Sequence, residues 1–124
     1  MLKDKTALVT GSTRGIGEAT ARALAAQGCN VMMNGFGDPD EIEAKRAQIE
    51  ADSGATVRFH GADLSDEKQL DDLVDSAEAA FGGVDILVNN AVIRYFHTVD
   101  DFDRDNWRHA LSVNVTAPFF LMQR

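Results

Sequence analysis

Apolar positions in this chain fall into short runs separated by longer amphipathic stretches. Thr6-Ala7-Leu8-Val9-Thr10, Val31-Met32-Met33, Thr56 to His60 and Val84-Asp85-Ile86-Leu87-Val88 read as four strands. Each is nearly continuous in apolar character, as a strand buried on both faces requires. Between the first two, small and apolar residues recur at helical spacing from Ile16 to Ala26, and Gly28 follows as a stop. Pro39 to Ala51 predicts a polar helix, with Pro39 suited to its first turn and Gly54 closing it. Asp66 to Phe81 predicts a third helix with Leu70, Leu73, Val74, Ala77 and Phe81 on one face, ended by Gly82-Gly83. A loop runs from about Val92 to Phe102. Asp103 then caps a last helix that carries Trp107, Leu111, Val115, Phe119 and Met122 on its apolar face and is kinked by Pro118.

The alternation of strand and helix predicts an α/β fold of the Rossmann type. The expected architecture is a doubly wound parallel sheet with helices on both faces, present here as its N-terminal half with strand order 3-2-1-4. Residues 1–124 form one expected domain, long enough to bury a core. A formal net charge of −8 argues against a nucleic-acid or anionic-membrane partner. It leaves room for a small-molecule anion, which needs only a local positive site. No window has the length of a membrane span, and Met1 to Lys5 lead directly into a strand without a signal-like stretch. Cys29 is the single cysteine, so no internal disulfide forms, in keeping with an expected cytoplasmic location. As a residue it reads as a small buried hydrophobe.

The most informative string is Thr10-Gly11-Ser12-Thr13-Arg14-Gly15-Ile16-Gly17, which leaves a strand and opens a helix. A pyrophosphate must come close to the backbone to meet the free N–H groups of a helix N-terminus, and any Cβ in the way blocks it. Gly11 permits the tight turn, Gly15 the approach of the phosphates, and Gly17 close packing of the helix on the sheet. The spacing G-x-x-x-G-x-G is a variant of the dinucleotide fingerprint.

That string resembles the motif T-G-x-x-x-G-I-G of the short-chain dehydrogenase/reductase family. Three further motifs follow in order: Asp63-Leu64 after the third strand, Asn89-Asn90-Ala91 after the fourth (the family has N-N-A-G), and Asn114 in the last helix. The resemblance covers the whole chain. It implies a cofactor-binding set of Gly11, Thr13, Arg14, Gly15, Ile16, Gly17, Phe36, Asp63, Leu64, Asn90 and Ala91. It also implies a catalytic-relay role for Asn114. The plainer alternatives are a helix-entry cap for Asp63, a loop hydrophobe for Phe36 and a core polar group for Asn114, with the adenine contact and the relay role favoured for Asp63 and Asn114. Within the family, the stretches around Asn34 to Asp38, His60 to Asp66 and Phe81 to Ala91 resemble a bacterial subgroup of D-3-hydroxybutyrate dehydrogenases. The implied reaction is NAD-dependent interconversion of 3-hydroxybutyrate and acetoacetate, or of a similar small hydroxy and oxo acid, in a homo-oligomer.

The ribose-binding acid of many Rossmann folds lies roughly 20 residues past the glycines. Here Asn34, Gly35 and Phe36 stand in that place. The missing acid and the basic Arg14 speak for NADP. The lack of a second basic residue after the second strand, and the subgroup resembled, speak for NAD, which is the expectation.

The resembled family uses a Ser and a Tyr-x-x-x-Lys pair for proton transfer. Tyr95 is the single tyrosine, Val99 stands four residues on, and Lys68 is the last lysine. The catalytic acid is therefore expected beyond Arg124, with the 124 residues alone unable to turn over substrate. An isolated half-sheet is expected to leave the fourth strand as an edge and part of the last helix uncovered. Val92 replaces the family's Gly, which raises the expectation of a crowded site or an altered backbone angle. Arg94 stands where the subgroup has a Gln that holds the substrate carboxylate; an Arg binds a carboxylate bidentately, or is simply a loop charge.

Asp101, Asp103 and Asp105 alternate like a calcium loop, but Asn106 and Ser112 replace the Gly and Glu such a loop needs. His60, His97 and His109 lack metal-ligand spacing, so no metal is expected. The rival to an oxidoreductase is a non-catalytic dinucleotide-binding module; a methyltransferase on a similar sheet is a more distant one.

Overall fold

The computed structural model describes residues 1–124. Four parallel strands, β1 (Thr6–Val9), β2 (Asn30–Met33), β3 (Val57–Phe59) and β4 (Ile86–Val88), lie in the order β3-β2-β1-β4. Helices α1 (Gly15–Ala26), α2 (Pro39–Ser53) and α3 (Glu67–Phe81) connect them in turn. The expected doubly wound half-sheet is present, with element ends within two residues of the pattern reading on most edges.

Alternate strand residues feed two cores. Leu8 and Met32 face α3 and the C-terminal helix, packing with Leu70, Leu73, Val74, Ala77, Val113, Ala117 and Leu121. Ala7, Val9, Val31 and Met33 face α1 and α2, packing with Ala21, Ala25 and Ile49. Strand β1 is buried along its whole length, whereas every residue of β4 is only half-buried. The difference follows from position: β4 pairs with β1 on one side and is the open edge on the other.

The last helix departs from its pattern reading. It divides into α4 (Arg104–Leu111), a π-helical turn (Ser112–Thr116) and α5 (Ala117–Gln123). Trp107, Leu111, Val115, Phe119 and Met122 are all exposed. The row facing the sheet is the narrower one of Val113, Ala117 and Leu121. Periodicity locates an apolar row but not its partner, and here the bulkier row stays largely exposed, with Trp107 meeting Phe102 edge-on and Phe119 meeting Phe120. Pro118 explains the π turn: it has no N–H to give the carbonyl four residues back, so the ladder shifts to longer-range bonds, as in Ala117 N–H to Ser112 C=O. No helix is long and apolar enough to cross a membrane.

Candidate functional site

Val9, Met33 and Val88 pair in register at the C-terminal ends of β1, β2 and β4. The loops after these strands therefore leave the sheet at one level. The chain winds outward from β1 to β3 and then crosses back to place β4 on the other side of β1. The crevice between β1 and β4 is thus the point where strand order reverses, which is where ligands sit in such sheets.

Two glycines of the turn adopt left-handed angles, Gly11 at φ +60° and Gly15 at φ +59°. They need to be glycine for different reasons. A Cβ at Gly11 would lie 3.0 Å from Ala91 Cα, whereas one at Gly15 would meet nothing within 4 Å. Gly15 is bare toward open space. Gly17 is the tightest of the three: its Cβ would collide with the Gly11 carbonyl and lie 2.5 Å from Asn90 Nδ2. The close packing expected of Gly17 is against the turn itself rather than against the strands.

Helices α2, α3 and α4 are each capped by an aspartate, Asp38, Asp66 and Asp103, whose side chain accepts a backbone N–H of the first turn. Helix α1 starts at the exposed Arg14, which makes no cap bond. The first-turn N–H groups of α1 thus lack a side-chain partner at a turn where Gly15 is open. An anion would supply acceptors for these groups and the sign of charge that the helix N-terminus favours.

The turn is braced from three sides. Thr10 Oγ1 accepts N–H bonds from Asn90 (3.1 Å) and Ala91 (3.0 Å), and Asn90 Nδ2 donates to the Thr10 and Gly11 carbonyls at 3.2 and 3.0 Å. On the other flank, Ser12 N–H donates to the Asn34 carbonyl at 2.7 Å and the Asn34 N–H to Ser12 Oγ at 3.0 Å. Asn34 Nδ2 then ties in the carbonyls of His60 (3.0 Å) and Ala62 (3.1 Å). From α2, Lys45 Nζ donates to the Thr13 carbonyl at 2.7 Å and pairs with Glu18 at 3.1 Å. Burial raises the Glu18 carboxyl, but bonds from Arg22 and Lys45 outweigh it and leave it below its ordinary value.

The expected cofactor residues divide accordingly. Gly15, Arg14, Ile16 and Phe36 are exposed around the opening of the turn. Gly11, Gly17, Asn90 and Ala91 form its frame. Thr13 is buried, with Oγ1 donating to the Phe36 carbonyl at 3.1 Å. The Leu64 side chain lies in the core, leaving its main chain as the part of the residue open to a ligand contact. Asp63 Oδ1 accepts from the Ser65 N–H (2.9 Å) and hydroxyl (2.7 Å), a local turn that holds its carboxyl below the usual range. Thr10, Ser12, Asn34 and Lys45 were missed as bracing groups. The available signal was polar residues directly at the ends of apolar strands, where each needs a partner.

Beyond β4, Asn114 from the π turn reaches the loop. Its Oδ1 accepts from Ile93 N–H at 2.8 Å and its Nδ2 donates to Ile93 C=O at 2.7 Å. The side chain imitates a strand edge, with one bond at each end of its amide. Its own carbonyl stands four residues before Pro118 and lacks the ordinary helical donor. Arg94 is exposed. Val92 is exposed and keeps a negative φ, so neither a clash within the chain nor a left-handed backbone follows from the missing Gly.

Fold and site together define a Rossmann-type α/β unit with an anion-ready turn at its switch point. Residues 5–124 match the short chain dehydrogenase family, and the chain belongs to it. It is 49% identical over 119 residues to D-beta-hydroxybutyrate dehydrogenase of Cupriavidus necator, covering 96% of this chain and 45% of that protein. The enzyme of the same name from Rhizobium meliloti is 42% identical over 115 residues, 93% of this chain and 45% of its own length. A short chain dehydrogenase from Burkholderia cenocepacia, solved in complex with NADP, superposes with a TM-score of 0.92 at 41% identity, over 98% of this chain and 49% of that one. The chain spans about half the length of the relatives it matches.

Proposed function

We propose that residues 1–124 are the dinucleotide-binding half of an NAD-dependent oxidoreductase that interconverts 3-hydroxybutyrate and acetoacetate or a closely similar pair. The observation that carries the reading is the pairing of a bare, left-handed Gly15 with an uncapped α1 N-terminus at the switch point. The bound nicotinamide would supply a hydride acceptor or donor. Gly15, Ile16 and Gly17 N–H groups hold the pyrophosphate, Arg14 and Phe36 flank the adenosine end, and Asp63 keeps one carboxylate oxygen outside its Ser65 turn for the adenine. Asn90 and Ala91 brace the nicotinamide end of the crevice.

The hydroxy-acid assignment draws on the two relatives and on Arg94, whose guanidinium enters no hydrogen bond or ion pair within the chain. It is the group that would grip the substrate carboxylate. Asn114 would act in the proton path through its main-chain carbonyl, since its side chain is spent on Ile93. The general acid is expected from outside these residues, because Tyr95 is bonded to His109 and no lysine stands four positions on. The exposed row from Trp107 to Met122 supports a homo-oligomer of the complete protein, which sedimentation at falling concentration would test.

NAD is preferred because Lys45, the basic group nearest the turn on α2, is committed to Thr13 and Glu18. NADP has support of its own: no acid follows β2, Arg14 is unpaired, and the Burkholderia relative was solved with NADP. The deciding experiment uses protein from the complete coding frame, with NAD and NADP each titrated in the presence of 3-hydroxybutyrate. Formation of reduced cofactor with NAD at lower concentration is expected. Turnover of neutral alcohols alone, or no reduced cofactor at all, would overturn the reading.

A further inference from the structure

The loop between β4 and α4 contains no helix or strand, yet it is tied to α4 and the π turn at two adjacent odd positions. Ile93 is held at both its N–H and its C=O by Asn114. Tyr95 Oη lies 2.7 Å from His109 Nδ1, and both residues are half-buried. The rings are tilted by 54° with centroids 6.2 Å apart, so the hydrogen bond rather than stacking joins them. Ile93 and Tyr95 are half-buried while Arg94 and Phe96 are exposed. That alternation is the signature of an extended strand-like path, in which Arg94 points away from both tied neighbours.

His109 and Asn114 are five residues apart. In a regular α-helix such residues diverge by about 140° around the axis. The π turn at Ser112–Thr116 adds residues per turn and narrows the divergence, letting both side chains serve the same stretch of loop. Tyr O–H donates to neutral imidazole and accepts from imidazolium, so the pair stays bonded in either protonation state of His109.

We propose that Tyr95 and His109 are a positioning pair. By fixing the residue after Arg94 as Asn114 fixes the residue before it, they hold the Arg94 guanidinium where it meets the anionic group of the substrate. The proposal rests on the reading of Arg94 as the carboxylate receptor. It adds that an arginine on a free loop would lose affinity to its own motion, and that this bond removes that loss.

The test uses protein from the complete coding frame and compares 3-hydroxybutyrate with its uncharged methyl ester. Tyr95→Phe and His109→Phe are each expected to raise KM for the acid about fivefold, the value of one hydrogen bond, with kcat and the ester KM unchanged. The double variant should be no worse than either single one. His109→Gln, which keeps a hydrogen-bonding group, should restore most of the affinity and stays informative where His109→Phe folds poorly. Arg94→Ala, which leaves no donor for a carboxylate, should abolish the preference for acid over ester. If Arg94→Ala does so and Tyr95→Phe does not, the pair has no positioning role and the substrate reading stands. If Arg94→Ala leaves the preference intact, the substrate reading fails and the pair proposal with it. Equal losses for acid and ester, accompanied by a lower unfolding temperature, would make the pair merely structural and overturn it.

Discussion

Gly17 and Asn90 meet across the glycine turn so closely that a Cβ on Gly17 would lie 2.5 Å from Asn90 Nδ2. The same Nδ2 donates to the carbonyls of Thr10 and Gly11. Gly17→Ala must therefore displace either the start of α1 or the strut that ties β4 to the turn. A cost of about 1–3 kcal/mol in urea unfolding is expected, as for other overpacked sites, together with a clear loss of nucleotide affinity. Gly54→Ala is the matched control. Its φ is +75° and nothing lies within 4 Å, so the strain of about 1–2 kcal/mol comes without any effect on binding. Wild-type unfolding and binding in Gly17→Ala would show that the turn is slack.

Asn34 shows where reading by residue type runs out. It occupies the stretch where a ribose-binding acid is sought, and so invites a ligand role or its absence. In the fold it is buried, with its amide spent on His60 and Ala62. Gly35, at φ +155°, has Thr13 side-chain atoms 2.8 Å from where a Cβ would stand, which leaves no room for an acid there. Asn34→Asp sets a carboxylate against two carbonyls and removes their donor. We expect a loss of at least about 1–3 kcal/mol, the cost of buried groups left unmatched, and more at neutral than at acidic pH. Unfolding curves at both pH values check this; equal midpoints for Asn34→Asp and wild type would sink it.

Glycine positions and strand order were legible because each follows from backbone demands that few residues meet. Gly11 and Gly15 take left-handed angles, and Asp103 caps α4 as expected, whereas α3 is capped by Asp66 rather than by Asp63, and the Asp38 cap of α2 was not read from sequence. The outward row of the last helix was not legible, since Trp107 and Val113 are equally apolar and differ only in what lies opposite. The Ser12–Asn34 and Tyr95–His109 contacts join residues 22 and 14 positions apart, and no local period announces them.

Arg14 and Phe36 offer a test of cofactor choice. Arg14 is exposed at the mouth of the turn without an ion pair, and Phe36 is exposed beyond β2. Arg14→Ala is expected to weaken NADP(H) binding about fivefold, in the range of an exposed charge pair, with little effect on NAD(H). Phe36→Asp should act in the same sense by restoring an acid near the ribose. Fluorescence titration with both cofactors measures the ratio. An equal loss for the two would remove Arg14 from any contact with the 2′-phosphate.

Acid sensitivity follows from Glu50. Its carboxylate accepts the Val57 N–H at 2.9 Å, pinning the end of α2 to the start of β3, with Arg46 and Arg58 beside it. The Val57 bond, opposed by burial and aided by Arg46, lowers its pKa from 4.5. A depressed carboxyl stabilises the fold fully above its unfolded pKa and loses that contribution as pH falls through the folded value. Asp63, lowered from 3.8 by Ser65, works in the same direction. The urea midpoint should decline on acidification below about pH 4.5, and less steeply in Glu50→Gln. A midpoint equally pH-dependent in Glu50→Gln would assign the effect to other carboxyls.

Asn114 separates two roles that its position allows. Its side chain holds Ile93 by two bonds, and its carbonyl has lost a helical donor to Pro118. Asn114→Asp keeps the acceptor for Ile93 N–H but opposes Ile93 C=O with an oxygen. The Ile93 amide should then lose hydrogen-exchange protection while amides in α3 keep theirs, and the local cost should be about 1–3 kcal/mol. Pro118→Ala does the converse: it leaves the side chain of Asn114 in place and offers its carbonyl an N–H. If the carbonyl belongs to a proton path, both substitutions lower kcat in the complete protein. If Asn114 only fastens the loop, Asn114→Asp alone lowers it, and Pro118→Ala gives a more stable protein with normal turnover.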